Sequence, residues 1–404
     1  MEPIIKVNNS TYYLGVNDRQ TRFFENLWPI PHGMAYNSYL IKDEKNVLLD
    51  TVDITYTDRF LRQLRAALAG DKLDYIVINH MEPDHSGSLG LILSHYPEAT
   101  LVVNRQSKKM LEGYFGEVEH VLEVSEKETL PIGSRELRFI TAPMVHWPEV
   151  MFTYDPKEET LFSADAFGSY GTVDGGIFDY QRSDTEHQMN ECTRYYSNIV
   201  GMYGPFVQKA IKKVEALPIK QICSVHGSIW QERIPEILSL YDQLAAYGSD
   251  PGLVLVYATM YGHLSELADT IAHAAGRAGV TPVKVYNLAS QDVSYAISDI
   301  FRYSGVIIGS PTYNNNLYPK IEELLSKLEM RKVTPRFYGH FGTGSWNPNV
   351  AGKLTDFGER MKWTTVAAPV TMLMSMADDK EAEGVRLGEA MAKAILSGTP
   401  EIAK

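Results

Sequence analysis

The chain has 404 residues, 44% of them hydrophobic and 22% charged, a balance that suits a water-soluble protein of two or three domains. Asp and Glu number 50 against 38 Lys and Arg, a net charge of −12, which argues against nucleic acid or an anionic membrane surface as the main partner. No apolar run is long enough to span a bilayer, and Met1-Glu2-Pro3-Ile4-Ile5-Lys6 lacks a signal-peptide stretch, so a cytoplasmic location is expected.

Taken in chain order, the first 250 residues alternate short apolar runs with turn formers. Val47–Leu49, Tyr75–Ile78, Leu101–Val103, Leu137–Ile140 and Ile222–Val225 read as strands. Helical periodicity falls at Asp58–Leu68, Gly90–Ser94 and Thr185–Tyr203. This is a mixed, layered α/β domain. The turn formers Tyr247-Gly248-Ser249-Asp250-Pro251-Gly252 mark a linker, which sets the domains at residues 1–250 and 251–404. Beyond it, strands Leu253–Tyr257, Val283–Tyr286, Val306–Ile308, Phe337–Phe341 and Thr364–Ala367 alternate with helices Leu264–Ala278, Asp292–Phe301, Lys320–Leu328, Val350–Met361 and one from about Lys380. That alternation predicts a small doubly wound parallel sheet. The two cysteines, Cys192 and Cys223, are too few for a rubredoxin-type centre or an iron–sulfur cluster, and read as small buried apolar residues.

Four potential metal ligands crowd into His80-Met81-Glu82-Pro83-Asp84-His85, directly after a predicted strand. Alternate positions of an extended loop project the same way, so His80, Glu82 and Asp84 are expected to converge, with His85 turned to a neighbouring point. His146, Asp165 and His226 each follow an apolar run in the same manner, and strand-end loops are where rigid scaffolds place functional groups. Four histidines and three carboxylates exceed the needs of one tetrahedral ion and suit two metals sharing a bridging carboxylate. The first motif resembles the His-x-His-x-Asp-His of the metallo-β-lactamase superfamily, with Glu82 at the second histidine. A nitrogen-and-oxygen set without thiolate suits a redox-active iron pair better than structural zinc. His95, His120, His187, His273 and His340 stand alone and read as surface or core residues. His32, within Pro31-His32-Gly33-Met34, is expected to sit behind the ligands and to orient one of them.

In the C-terminal half, Thr259-Met260-Tyr261-Gly262-His263-Leu264 joins the first strand to a helix, and its backbone N–H groups form a natural phosphate cradle. The third strand delivers Ser310-Pro311-Thr312-Tyr313-Asn314-Asn315, and the fourth Gly342-Thr343-Gly344-Ser345-Trp346. This loop set resembles flavodoxin, whose sheet binds flavin mononucleotide (FMN) at such strand ends. Leu264 departs from the Thr or Ser usual there.

A lactamase-like domain with Glu82 in its first motif, followed by a flavodoxin-like domain, resembles the flavodiiron proteins (A-type flavoproteins) in their minimal two-domain form. The resemblance spans essentially the whole chain. It implies an N-terminal metallo-β-lactamase-like αββα sandwich and a C-terminal flavodoxin-like doubly wound sheet. It also implies that His80, Glu82 and His146 hold one iron, that Asp84, His85 and His226 hold the other, and that Asp165 bridges them. In some relatives the histidine matching His85 is turned away from the metal. The implied activity is reduction of dioxygen to water, nitric oxide to nitrous oxide, or both, with electrons delivered through FMN. Dioxygen takes four electrons, two from a diferrous pair and two from a reduced flavin. Relatives draw electrons from rubredoxin, a flavin reductase or a reduced deazaflavin coenzyme. They pair head to tail as homodimers or dimers of dimers, and they suit anaerobes. The competing reading is a dizinc hydrolase on the same scaffold carrying an accessory flavodoxin domain; Glu82 and the flavin loops weigh against it.

Overall fold

Apolar runs buried along their whole length, such as Val47–Leu49 and Leu253–Tyr257, form the sheet centres, and amphipathic helices such as Thr57–Leu68 and Val293–Arg302 flank the sheets. The computed structural model describes residues 4–401. They fall into two compact units that divide between Ala245 and Ala246.

In the first unit a seven-stranded sheet runs in the order Ile5–Lys6, Thr11–Tyr13, Tyr39–Ile41, Val47–Leu49, Tyr75–Val77, Thr100–Val103 and Val121–Glu123. A five-stranded sheet runs Thr129–Pro131, Glu136–Thr141, Met151–Asp155, Thr160–Phe162 and Gln221–Cys223. Their inner faces meet in one apolar core, with Tyr39, Ile41, Leu49, Val77 and Val102 from the first sheet against Leu137, Phe139, Met151, Phe162 and Cys223 from the second. This is the metallo-β-lactamase-like αββα sandwich. The last two strands of the second sheet pair in parallel, as do Val47–Leu49, Tyr75–Val77 and Thr100–Val103 in the first. Several connecting loops therefore leave from the same sheet ends, where the ligand motifs lie.

Two expectations shift in this unit. The helix predicted over Thr185–Tyr203 is α-helical only for Thr185–Tyr195; it loosens into a π turn over Tyr196–Val200 and tightens into a 3₁₀ turn at Gly201–Tyr203. The five π-turn residues are all buried, and Asn198 Nδ2 donates to the Arg194 carbonyl within the widened turn. The strand predicted over Ile222–Val225 stops at Cys223, because Ser224 onward turns to present His226. Strands Ile5–Lys6 to Tyr39–Ile41 have no strong periodic pattern and emerge only with their partners.

In the second unit Val283–Asn287, Asp250–Tyr257, Tyr303–Pro311 and Phe337–Gly344 form a parallel sheet in that order, completed by Thr364–Thr365 and Val370–Leu373, both paired with Phe337–Gly344. Two strands thus replace the one predicted over Thr364–Ala367. Pro369 lacks the N–H a ladder needs, and the chain breaks before it. Asp250–Gly252, read as linker, belong to the first strand. The helices cover both faces, as in a flavodoxin-like doubly wound fold. No helix among the described residues is long and apolar enough to cross a membrane.

Candidate functional site

The ligand loop is fixed from below by a buried acid. Asp50, at φ 55°, accepts the Asn79 backbone N–H at 2.7 Å, Asn79 Nδ2 at 2.8 Å and the His80 N–H at 3.3 Å. Pro83 then opens a single helical turn, Pro83–Ser86, pinned by Ser86 Oγ donating to the Met81 and Glu82 carbonyls. That turn corrects the extended-loop expectation. His80 and Glu82 leave an extended chain and share one ligand group, whereas Asp84 and His85 leave a helical turn and join the other. Left-handed backbone at Met144, Ala164 and Phe167 turns the chain around His146 and Asp165, a concentration of strain common at functional sites. After His226 comes Gly227 at φ 75°, where a Cβ would lie 2.2 Å from Ser169 Oγ.

All seven predicted ligands converge. One group is His80, Glu82, His146 and Asp165; the other is Asp84, His85 and His226; within each, the ligand atoms lie within 4.8 Å of one another. Glu82 Oε2 is 3.2 Å from His80 Nε2 and 3.0 Å from His146 Nε2. Asp165 divides its two oxygens: Oδ2 is 3.0 Å from His80 Nε2 and 3.3 Å from His146 Nε2, while Oδ1 is 3.2 Å from His85 Nε2 and 3.3 Å from His226 Nε2. Asp84 Oδ2 is 3.3 Å from both His85 and His226 Nε2. A carboxylate with one oxygen toward each group is the geometry of a bridge. His85 faces the site.

The cluster concentrates charge in a buried place. Asp165, wholly buried, is held well below the usual carboxylate range: burial opposes this, but the charges of His80 and His85 and the His146 and His226 imidazoles that face it prevail. Burial likewise works against charge on His146, yet Asp165 and Glu82 lift it to about 9, and Asp165 and Asp84 lift His226 to about 10. Both Asp84 oxygens, Asp165 Oδ2 and His226 Nε2 are buried without a hydrogen-bond partner. Polar atoms orphaned at this depth cost free energy unless something else satisfies them. Two divalent ions held by imidazole nitrogen and carboxylate oxygen fit the charge, the donor set and the convergence.

Two contacts escaped the sequence reading. Behind His80, Glu149 Oε1 accepts the Nδ1 proton at 2.7 Å and the Met81 N–H at 2.9 Å. Behind His226, Nδ1 donates to the Ala35 carbonyl at 2.8 Å. The rings of Phe24, Tyr36 and Tyr195 wall His226 at 5.5–5.8 Å between centroids. Glu82 and Asp84 face a cavity of about 450 Å³ bounded by Phe23, Phe24, Glu25, Tyr36 and Asp53, wide enough for a small ligand. His32 packs edge-on against His187, ring centroids 4.5 Å apart, and lines a separate cavity with Tyr170, Arg182 and Gln188.

In the second unit, Thr259, Met260, Tyr261, His263, Leu264, Pro311, Thr312, Thr343 and Gly344 line one cleft, joined by Ser345 and by Met374, which the sequence reading omitted. Gly262, at φ 94°, donates its N–H to Thr259 Oγ1 at 3.0 Å and starts the helix His263–Arg277. Leu264 is buried in the core. Ser310 holds the loop, its Oγ accepting the Tyr318 N–H at 3.0 Å. Asn314 and Asn315, both left-handed, form a tight turn closed by reciprocal Tyr313–Asn316 backbone bonds. Gly342 belongs to the strand whose last residues line the cleft, and Trp346 beyond it is 88% exposed.

Comparison with known proteins agrees with this geometry. Residues 34–227 match the family model described as ODP family beta lactamase, and residues 255–381 match that of flavodoxin. The anaerobic nitric oxide reductase flavorubredoxin of Escherichia coli O1:K1 / APEC is 33% identical over 359 residues, covering 87% of this chain and 74% of that protein. The chain belongs to the flavodiiron proteins. Among solved members of the family, rubredoxin oxygen:oxidoreductase from Desulfovibrio gigas superposes with a TM-score of 0.92 at 27% identity, over 98% of this chain and 99% of that one. The flavodiiron protein from Giardia intestinalis gives 0.94 at 25% identity, over 98% of each. As a flavodiiron protein the chain is an oxidoreductase whose cofactors are FMN and a non-haem diiron site.

Proposed function

We propose that this flavodiiron protein reduces dioxygen to water, nitric oxide to nitrous oxide, or both, with electrons passing through FMN. The observation that carries the reading is the division of the Asp165 carboxylate between two ligand groups. An iron pair held here would supply electrons and Lewis acidity to a small substrate, and FMN would supply further electrons. His80, Glu82 and His146 would hold one iron, and Asp84, His85 and His226 the other. The chain does the rest. Glu149 and the Ala35 carbonyl each accept a hydrogen bond from an Nδ1–H, which leaves the Nε2 of His80 and of His226 to face the ions. Phe24, Tyr36 and Tyr195 keep bulk water from the His226 side. In the second unit the Thr259–Gly262 turn and the helix start behind it would hold the FMN phosphate, and Tyr261 and Trp346 offer exposed rings beside the cleft.

The electron donor belongs to the set of rubredoxin, flavin reductase and reduced deazaflavin coenzyme. A head-to-tail homodimer in the cytoplasm completes the proposal. Purified anaerobically, the protein should be yellow and hold two irons and one FMN per chain. Turnover measured with dioxygen and with nitric oxide, each against the donor panel, assigns substrate and donor. Stoichiometric zinc without flavin would instead point to a hydrolase.

A further inference from the structure

The two metal positions look equivalent when only ligands are counted. Each has two imidazoles and one carboxylate of its own, and both share Asp165. What stands behind the imidazoles is unequal. His80 Nδ1 meets the Glu149 carboxylate at 2.7 Å, and neither side chain has solvent exposure. In the other position His226 Nδ1 meets a neutral carbonyl, and His85 Nδ1 is buried without a hydrogen-bond partner. Glu149 is also held in place. Its Oε1 accepts the Met81 N–H, and its backbone carbonyl accepts Asn104 Nδ2, from the residue that caps the helix Arg105–Phe115. Of His80, His226 and His85, His80 is the one whose Nδ1 meets a carboxylate.

We propose that Glu149 is a positioning residue that makes the two irons unequal. By drawing on the His80 Nδ1 proton it makes Nε2 a stronger donor. The position of His80, Glu82 and His146 would then hold its iron more firmly, and in a form harder to reduce, than the position of Asp84, His85 and His226. The proposal rests on the diiron reading above.

The test uses the full-length, iron- and FMN-loaded protein. Wild type should lose iron to a ferrous chelator in two phases and pass through a mixed-valent state, seen by electron paramagnetic resonance, during stepwise reduction. Glu149→Gln keeps a hydrogen-bond acceptor for His80 but removes the charge. It should weaken retention of the slow iron by about 10–100-fold, leave the fast iron unchanged, and lower the yield of the mixed-valent state. Glu149→Asp, which keeps the charge, should restore much of both. If Glu149→Gln leaves the two phases and the mixed-valent yield as in wild type, the proposal falls. It falls equally if Glu149→Asp behaves like Glu149→Gln, since packing rather than charge would then be at work. Wild-type protein that holds no iron would overturn the diiron reading itself, a result distinct from either.

Discussion

Asp165 is the residue on which the site turns. Replacing it with Ala should leave FMN bound, because the cleft lies in the other unit, while iron content falls and gas reduction stops. A variant that reduces dioxygen at the normal rate would disprove the bridging role. Gly227→Ala places a Cβ 2.2 Å from Ser169 Oγ at a left-handed position; about 1–3 kcal/mol of destabilisation is expected, read as a lower melting temperature. Metal uptake should also be pH-dependent. Ligand histidines must be neutral, yet the metal-free site keeps His146 protonated up to about pH 9 and His226 up to about pH 10. Loading at pH 7 must therefore expel protons, and affinity should climb as pH rises toward those values. Calorimetry in two buffers of different ionisation enthalpy reads the proton count; zero release would contradict it. At this scale the seven side chains that converge were legible as candidates, since unusual residue types at strand ends stand out in a sequence. Glu149 and Asp50 were not. Each is one acid among fifty, and its role exists only once residues 29 and 69 positions away are folded against it.

At the level of elements, the sequence reading worked where an apolar period ran unbroken and failed where a side chain or proline interrupted it. The alternation after Leu253 was clear enough to place every helix of the second unit. The π turn at Tyr196–Val200 was invisible, because a widened turn leaves the apolar spacing nearly intact. Arg135 ties the turn between Tyr39–Ile41 and Val47–Leu49 to the strand Met151–Asp155: Nε meets Asp43 and Nη1 meets Asp155, each at 2.8 Å. Burial acts to raise the Asp43 carboxyl, but hydrogen bonds from the Ser134 hydroxyl and amide, the Glu44 amide and Arg135 hold it below the usual range. A depressed carboxylate stabilises the fold above its unfolded pKa of about 3.9 and loses that contribution as pH falls through the folded value. Asp43→Ala should thus cost about 1–2 kcal/mol at pH 7 and progressively less in strong acid. A gap in chemical-denaturation stability that stays constant down to pH 2 would contradict the assignment.

Across the whole molecule, each unit has its own apolar core, one between two facing sheets and one around a parallel sheet. Calorimetry should resolve two transitions, with FMN raising only the one that belongs to residues 246–404. A single transition that moves as one when flavin is added would show the units to be thermodynamically inseparable. The two-domain plan was readable from composition and period alone. The exact seam was not, because Asp250-Pro251-Gly252 has the look of a turn but is recruited into a strand by its neighbour Tyr303–Pro311.

The order of the ligands along the chain has a consequence for synthesis. His80, Glu82, His146 and Asp165 are all present once the ribosome has passed residue 165, but His226 arrives on the strand-end loop after Gln221–Cys223, the last strand added to its sheet. A nascent or truncated polypeptide that stops short of His226 therefore lacks a member of the second group. Chains halted between these points, purified and assayed for bound metal, should hold one equivalent at most, so the catalyst cannot switch on before its own shell is nearly finished.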